Sequence, residues 1–142
     1  MKSKSAVVCM LAAVVMLYSG CTKKATFGEL LIDMAKGINP SAMNERWQPR
    51  NQQWIEEVKN AGEDKARLKK LLIEFEMNIN YSAQKPNWQQ LRNTWLEGVT
   101  NAYTIDDLKR HIIQLESSML FTAQSEEWGE RRLEWIEQVN SL

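Results

Sequence analysis

The sequence predicts an all-α fold: three tandem helical hairpins of about 40 residues, six helices in all, forming a compact solenoid-like bundle. Two observations predict it. The first is tryptophan spacing. All six tryptophans fall in pairs seven residues apart, Trp47/Trp54, Trp88/Trp95 and Trp128/Trp135, and the pairs recur at intervals of 41 and 40 residues. Around them the pattern A-x4-W-x6-W-[IL]-E-x-V occurs three times. Ala42, Ala83 and Ala123 lead it, and Val58, Val99 and Val139 close it. The second is helical periodicity. Trp88, Trp95, Leu96 and Val99 stand at i, i+7, i+8 and i+11, one face of a helix whose other positions are mostly polar.

The elements follow in order, over units of about residues 27–62, 63–103 and 104–142. Each unit opens with an apolar A helix. In unit two it carries Leu68, Leu71, Leu72, Ile73, Phe75, Met77, Ile79 and Tyr81, enough to be buried from several sides. In unit three it carries Leu108, Ile112, Ile113, Leu115, Met119, Leu120 and Phe121. Thr26 with Glu29, and Thr104 with Asp107, have capping-box spacing. In unit one Gly37 and Asn39-Pro40 shorten the A helix. The B helices carry the tryptophan pairs. Asn44 and Ser125 are expected to cap two of them, and Pro86 suits a first helical position. Pro49, two residues after Trp47, should start or kink the first B helix. The A helices are expected at the centre and the B helices at the flanks.

The first 20 residues are read apart from this body. A basic MKSK precedes an apolar run of twelve, Ala6–Leu17, and then YSGC. That is the layout of a secretory signal. Twelve apolar residues fall short of the ~20 a spanning helix needs. Ser19, Gly20 and Cys21 resemble the end of a bacterial lipoprotein signal, with Tyr18 standing where that family usually has leucine. The resemblance implies a signal peptide over 1–20, lipidation of Cys21 and a short tether over 21–26. Thr22, in place of the aspartate that retains such lipoproteins at the inner membrane, implies the outer membrane. Cys9 lies in the apolar run, so a processed body has no thiol for a disulfide, a thiolate metal site or a nucleophile.

Composition narrows the function. Eighteen Lys and Arg balance eighteen Asp and Glu, and this zero net charge argues against a nucleic-acid partner. His111 is the sole histidine and is assigned a structural or surface role, so no metal is expected. There is no glycine-rich phosphate loop, nucleophile elbow or H-E-x-x-H. Glu56, Glu97 and Glu137 recur in every unit, which suits helix pairing better than an active site. The expected protein is non-enzymatic and without cofactor: an outer-membrane lipoprotein, facing the periplasm, that binds an envelope protein as an accessory or scaffold factor, as small pilotin-like lipoproteins do. The alternatives are a plasmid- or phage-encoded exclusion or immunity lipoprotein, and an envelope glycan binder. Trp54, Trp95 and Trp135, with the three valines, are assigned to the repeat core. Trp47, Trp88 and Trp128, at the helix entries, are expected to be partly exposed for contact with a partner.

Overall fold

The computed structural model describes residues 23–142. The expected signal peptide and the Cys21 lipidation site lie outside the described residues. The described chain is all-α, a compact bundle of six helices: α1 (Phe27–Lys36), α2 (Trp47–Ala61), α3 (Lys65–Met77), α4 (Trp88–Thr100), α5 (Ile105–Ser117) and α6 (Glu126–Asn140). Short 3-10 turns at Pro40–Ala42, Tyr81–Ala83 and Phe121–Ala123 follow α1, α3 and α5.

Local chemistry sets the helix ends. Thr26 and Thr104 each form a reciprocal capping box, with Glu29 and Asp107. Asp64 caps α3 by accepting the Arg67 N–H, and Ser125 caps α6 by accepting the Trp128 N–H. Gly62, with φ of 56°, ends α2 in a conformation that side chains disfavour. In unit one α1 has 10 residues where α3 and α5 have 13.

Three expectations about helix starts are corrected. Pro86 lies in the turn before α4, whose N-cap is Asn87. Pro49 is the third residue of α2, which starts at Trp47. First-turn N–H groups have no intrahelical acceptor, so the missing proline N–H loses nothing there. Asn44 accepts the Arg46 N–H at 3.0 Å but stands one turn ahead of the helix it was expected to cap.

The units close on one another. Antiparallel bridges pair Met43 with Ile79, Gln84 with Met119, and Gln124 back with Ile38. Beside them the Asn80 N–H donates to the Ala42 carbonyl at 2.8 Å, Leu120 to Ala83 at 2.9 Å, and Asn39 to Ala123 at 2.8 Å. The third bond of each set returns from unit three to unit one, and α6 packs against α1. The bundle is therefore a closed ring, not an open stack. The second tryptophans follow the same cycle. The indole N–H of Trp54 donates to the Leu71 carbonyl at 2.9 Å, Trp95 to His111 at 2.8 Å, and Trp135 to Leu30 at 2.9 Å. Each thereby ties its own helix to the A helix of the next unit.

The core lies among the A helices. Leu31, Leu72 and Ile112, equivalent in the repeat, are fully buried, as are Leu68, Leu108, Phe75 and Leu115. Each such side chain contributes about 1.5–3 kcal/mol on burial. Trp54, Trp95, Trp135, Val58, Val99 and Val139 are buried around them. The A helices are shorter than their apolar pattern suggested. Beyond Ser117 the chain leaves helix, and Phe121 is 87% exposed; Tyr81 and Met77 are also exposed.

Candidate functional site

The first tryptophans correct an expectation. Trp47, Trp88 and Trp128 are only 5%, 4% and 2% exposed, so they form no exposed edge. Each packs edge-to-face on its partner seven residues on, with ring centroids 5.3, 5.7 and 5.4 Å apart. The Trp88 indole N–H donates to the buried Glu76 carboxylate at 3.1 Å, and Trp128 donates to Glu116 at 3.0 Å. Arg92 and Arg132 complete these clusters through Nε at 2.9 and 2.8 Å. Glu76 in turn raises the already high pKa of Arg92, chiefly by hydrogen bonding. Unit one has no such cluster. Ala35, Met43 and Asn51 stand where unit two has Glu76, Gln84 and Arg92, and Trp47 packs on Phe75 at 5.5 Å.

The buried clusters leave the surface to the seams, where a B helix meets the next A helix. The repeat makes three seams from equivalent positions: α2–α3, α4–α5 and α6–α1. At the first, Arg50 grips Glu74 with two bonds of 2.7 and 2.9 Å and also bonds Glu57. Arg50 thereby holds the Glu57 carboxyl below the usual carboxylate range. Arg50 and Glu74 form the wall between two depressions. At the third seam the equivalent residues, Arg131 and Asp33, pair at 3.3 Å.

At the α4–α5 seam the pair is gone. Leu91 replaces the arginine, Gln114 replaces the acid, and Gly98 stands where unit one has Glu57. Leu91 is 51% exposed. The result is a groove of about 490 Å³, within the range of ligand sites, floored by Trp88 and Trp95 and lined by Leu91, Gly98, His111 and Lys85.

His111 gives the groove its chemistry. It replaces Leu30 and Leu71 of the other units and is 7% exposed. Its Nδ1 lies 2.6 Å from the Asp107 carbonyl, an acceptor, so Nδ1 carries a proton. Among the described residues Nε2 has no hydrogen-bond partner. A Cβ built on Gly98 would lie 2.1 Å from Nε2, so the glycine is what admits the ring. No carboxylate lines the groove. Asp107, one turn away, is occupied by the N–H groups of Tyr103 and Thr104, and these hold its carboxyl below the usual range.

A family model described as a domain of unknown function (DUF8799) matches residues 64–119. The match begins at the cap of α3 and runs just past α5, so it contains the whole α4–α5 seam and the Glu76 cluster. It leaves out α1, α2 and α6. No curated protein and no solved structure matches the chain. No helix among the described residues is long and apolar enough to cross a membrane.

Of the residues singled out in the sequence, the three first tryptophans are buried rather than brought to an edge, and Trp88 lines the α4–α5 groove. Leu91, Gly98 and Gln114 drew no notice in the sequence. Their signal is a break in the repeat columns: Arg50 and Arg131 become Leu91, and Glu74 and Asp33 become Gln114.

Proposed function

We propose that this chain is a non-enzymatic lipoprotein of the outer membrane that binds a protein of the cell envelope, in an accessory or scaffold role, through the α4–α5 seam. One observation carries the reading. Two of the three equivalent seams are bridged by an arginine–acid pair, and the third exchanges it for an apolar residue, an amide and a glycine. A closed fold with one altered seam suits recognition at that seam.

The anchor supports the same reading. With a lipid on Cys21, about five residues precede the α1 cap at Thr26, a reach under ~20 Å at ~3.5 Å per residue. The start of α1 would stand near the membrane. A 13-residue helix rises about 20 Å, so the turns holding Tyr81 and Phe121 would face away from it. A pilotin-like duty, holding an envelope subunit close to the bilayer, fits that placement. The glycan reading loses its support, because the tryptophans it depended on are buried. An exclusion or immunity role would use the same seam on a foreign protein, and flanking genes separate it from the first.

The repeat supplies its own controls for a test. A photo-cross-linking residue is placed at Leu91, Arg50 or Arg131 in the membrane-anchored chain. A discrete protein adduct at position 91 alone is expected. Equal capture at all three positions, or none at 91, would overturn the reading. The anchor is checked separately by Cys21→Ser, which should move the protein out of the membrane fraction.

A further inference from the structure

The chemistry of the groove narrows what it can hold, given the partner-binding reading above. Its floor is the two indoles of Trp88 and Trp95, with Leu91 as one wall. An apolar group is the complement of that surface. Its mouth carries Lys85, exposed and without an ion pair among the described residues. The two bridged seams present Glu74, Glu57 and Asp33; this one presents none of those acids. A groove with the Lys85 cation at its mouth and no carboxylate in its lining favours an anionic ligand.

His111 adds a directional preference. His111 lines the groove, and its Nε2, packed beside Gly98, has no hydrogen-bond partner among the described residues, so a hydrogen-bond donor of the ligand can pair with it. An apolar side chain, an N–H a few ångströms from it, and flanking negative charge are together the features of an acidic, apolar stretch of polypeptide. We infer that the α4–α5 groove receives such a segment of the partner. One large apolar side chain seats over Trp88 and Trp95. A backbone N–H of the segment donates to His111 Nε2. A carboxylate beside it faces Lys85.

The test uses fluorescein-labelled tetrapeptides and the full chain in nanodiscs, read by fluorescence anisotropy. The probes are Glu-Leu-Phe-Glu and Lys-Leu-Phe-Lys, N-labelled and C-amidated, with decanoate as a competitor. The acidic peptide should bind weakly and lose affinity as salt is raised. Lys85→Glu, a change at an exposed side chain, should weaken it about fivefold. The double variant L91R/Q114E copies the Arg50–Glu74 pair into this seam and should weaken it at least about tenfold, with helicity by circular dichroism unchanged. Equal binding of the basic peptide, or unchanged binding by the double variant, overturns the inference. Displacement by decanoate at lower concentration than by unlabelled peptide also overturns it, assigning the groove to a lipid-like carboxylate instead. If neither peptide binds while cross-linking at position 91 still captures a protein, the ligand chemistry is wrong and the partner-binding reading stands.

Discussion

Helices α2 and α4 occupy equivalent places in the ring and answer to opposite demands. Both start at a tryptophan, both send a second indole N–H to the carbonyl of the next A helix, and both bury a valine four residues later. On its inner side α4 rests on a buried ion pair, Glu76–Arg92, where α2 has none. On its outer side α2 is bridged by Arg50, which divides its seam into two polar depressions, where α4 is left with one apolar groove. The fold therefore does not depend on any one polar contact. The tryptophans place the helices, and the polar positions are free to vary, two or three at a time. They vary together because a buried charge without its partner is costly, whereas loss of the whole cluster is tolerated. Ala35, Met43 and Asn51 are such a loss.

The strongest way to break the comparison is at the shared anchor. Trp95→Ala and Trp54→Ala should each cost about 3–5 kcal/mol in urea unfolding, the range for truncating a core aromatic. A neutral Trp95→Ala would mean that α4 is held by something α2 lacks. Next comes the inner side. Arg92→Ala strands the Glu76 carboxylate and should cost about 3 kcal/mol, the low end for a broken buried pair because Arg92 is part exposed and screened. Its counterpart Asn51→Ala should change stability by under about 0.5 kcal/mol. The combined variant E76A/Q84M/R92N, which copies unit one, should recover most of the loss from Arg92→Ala; no recovery would show that the clusters are not interchangeable. Third is the outer side. Gly98→Ala drives a methyl into His111 and should cost about 1–3 kcal/mol by overpacking. Glu57→Ala at the equivalent place should shift the unfolding midpoint far less, as exposed pairs do.

The smallest effect sharpens the contrast by acid. The Glu57 carboxyl is held below its ordinary value by Arg50. Its contribution is present above the ordinary carboxylate pKa and is lost as pH falls through the lower, folded value. As pH falls below the ordinary carboxylate range the α2–α3 seam should loosen. Position 98 is a glycine and has nothing to titrate. In a proton NMR series from pH 6 to 3 the Trp54 indole resonance should move through that window more than the Trp95 resonance. Equal movement would show that Arg50 does not bridge its seam.

Much of the bundle was legible because its signals are local. Tryptophan spacing, helical stripes and the Thr26 and Thr104 caps each depend on residues within a turn or two. Closure was not legible: it joins Leu30 to Trp135, and nothing near either residue announces the other. The exposure expected of Trp47, Trp88 and Trp128 failed for a different reason. Glu76 and Glu116 drew no notice in the sequence, yet they are buried acceptors for the indole N–H groups of Trp88 and Trp128. Tyr81 and Phe121 misled in the opposite direction, as apolar residues that follow a helix without belonging to it. The groove was legible only in part. The change from arginine to Leu91 is visible on alignment of the repeats, but its partner Gln114 becomes relevant only once α4 is known to lie against α5.

Closure also bears on how the chain folds. The Lys24 ammonium reaches the Ser141 carbonyl at 3.3 Å, so the two ends of the described chain are neighbours. The contact that seals the ring spans 105 residues, and it cannot form until α6 has been made. Local helices assemble quickly, whereas so distant a pairing waits on the closure of a long loop. The final tryptophan should therefore be the last to leave water as the chain folds. A circular permutant joining residue 142 to residue 23 and opened at Gly62 would keep the contacts of the ring while changing which seam closes last.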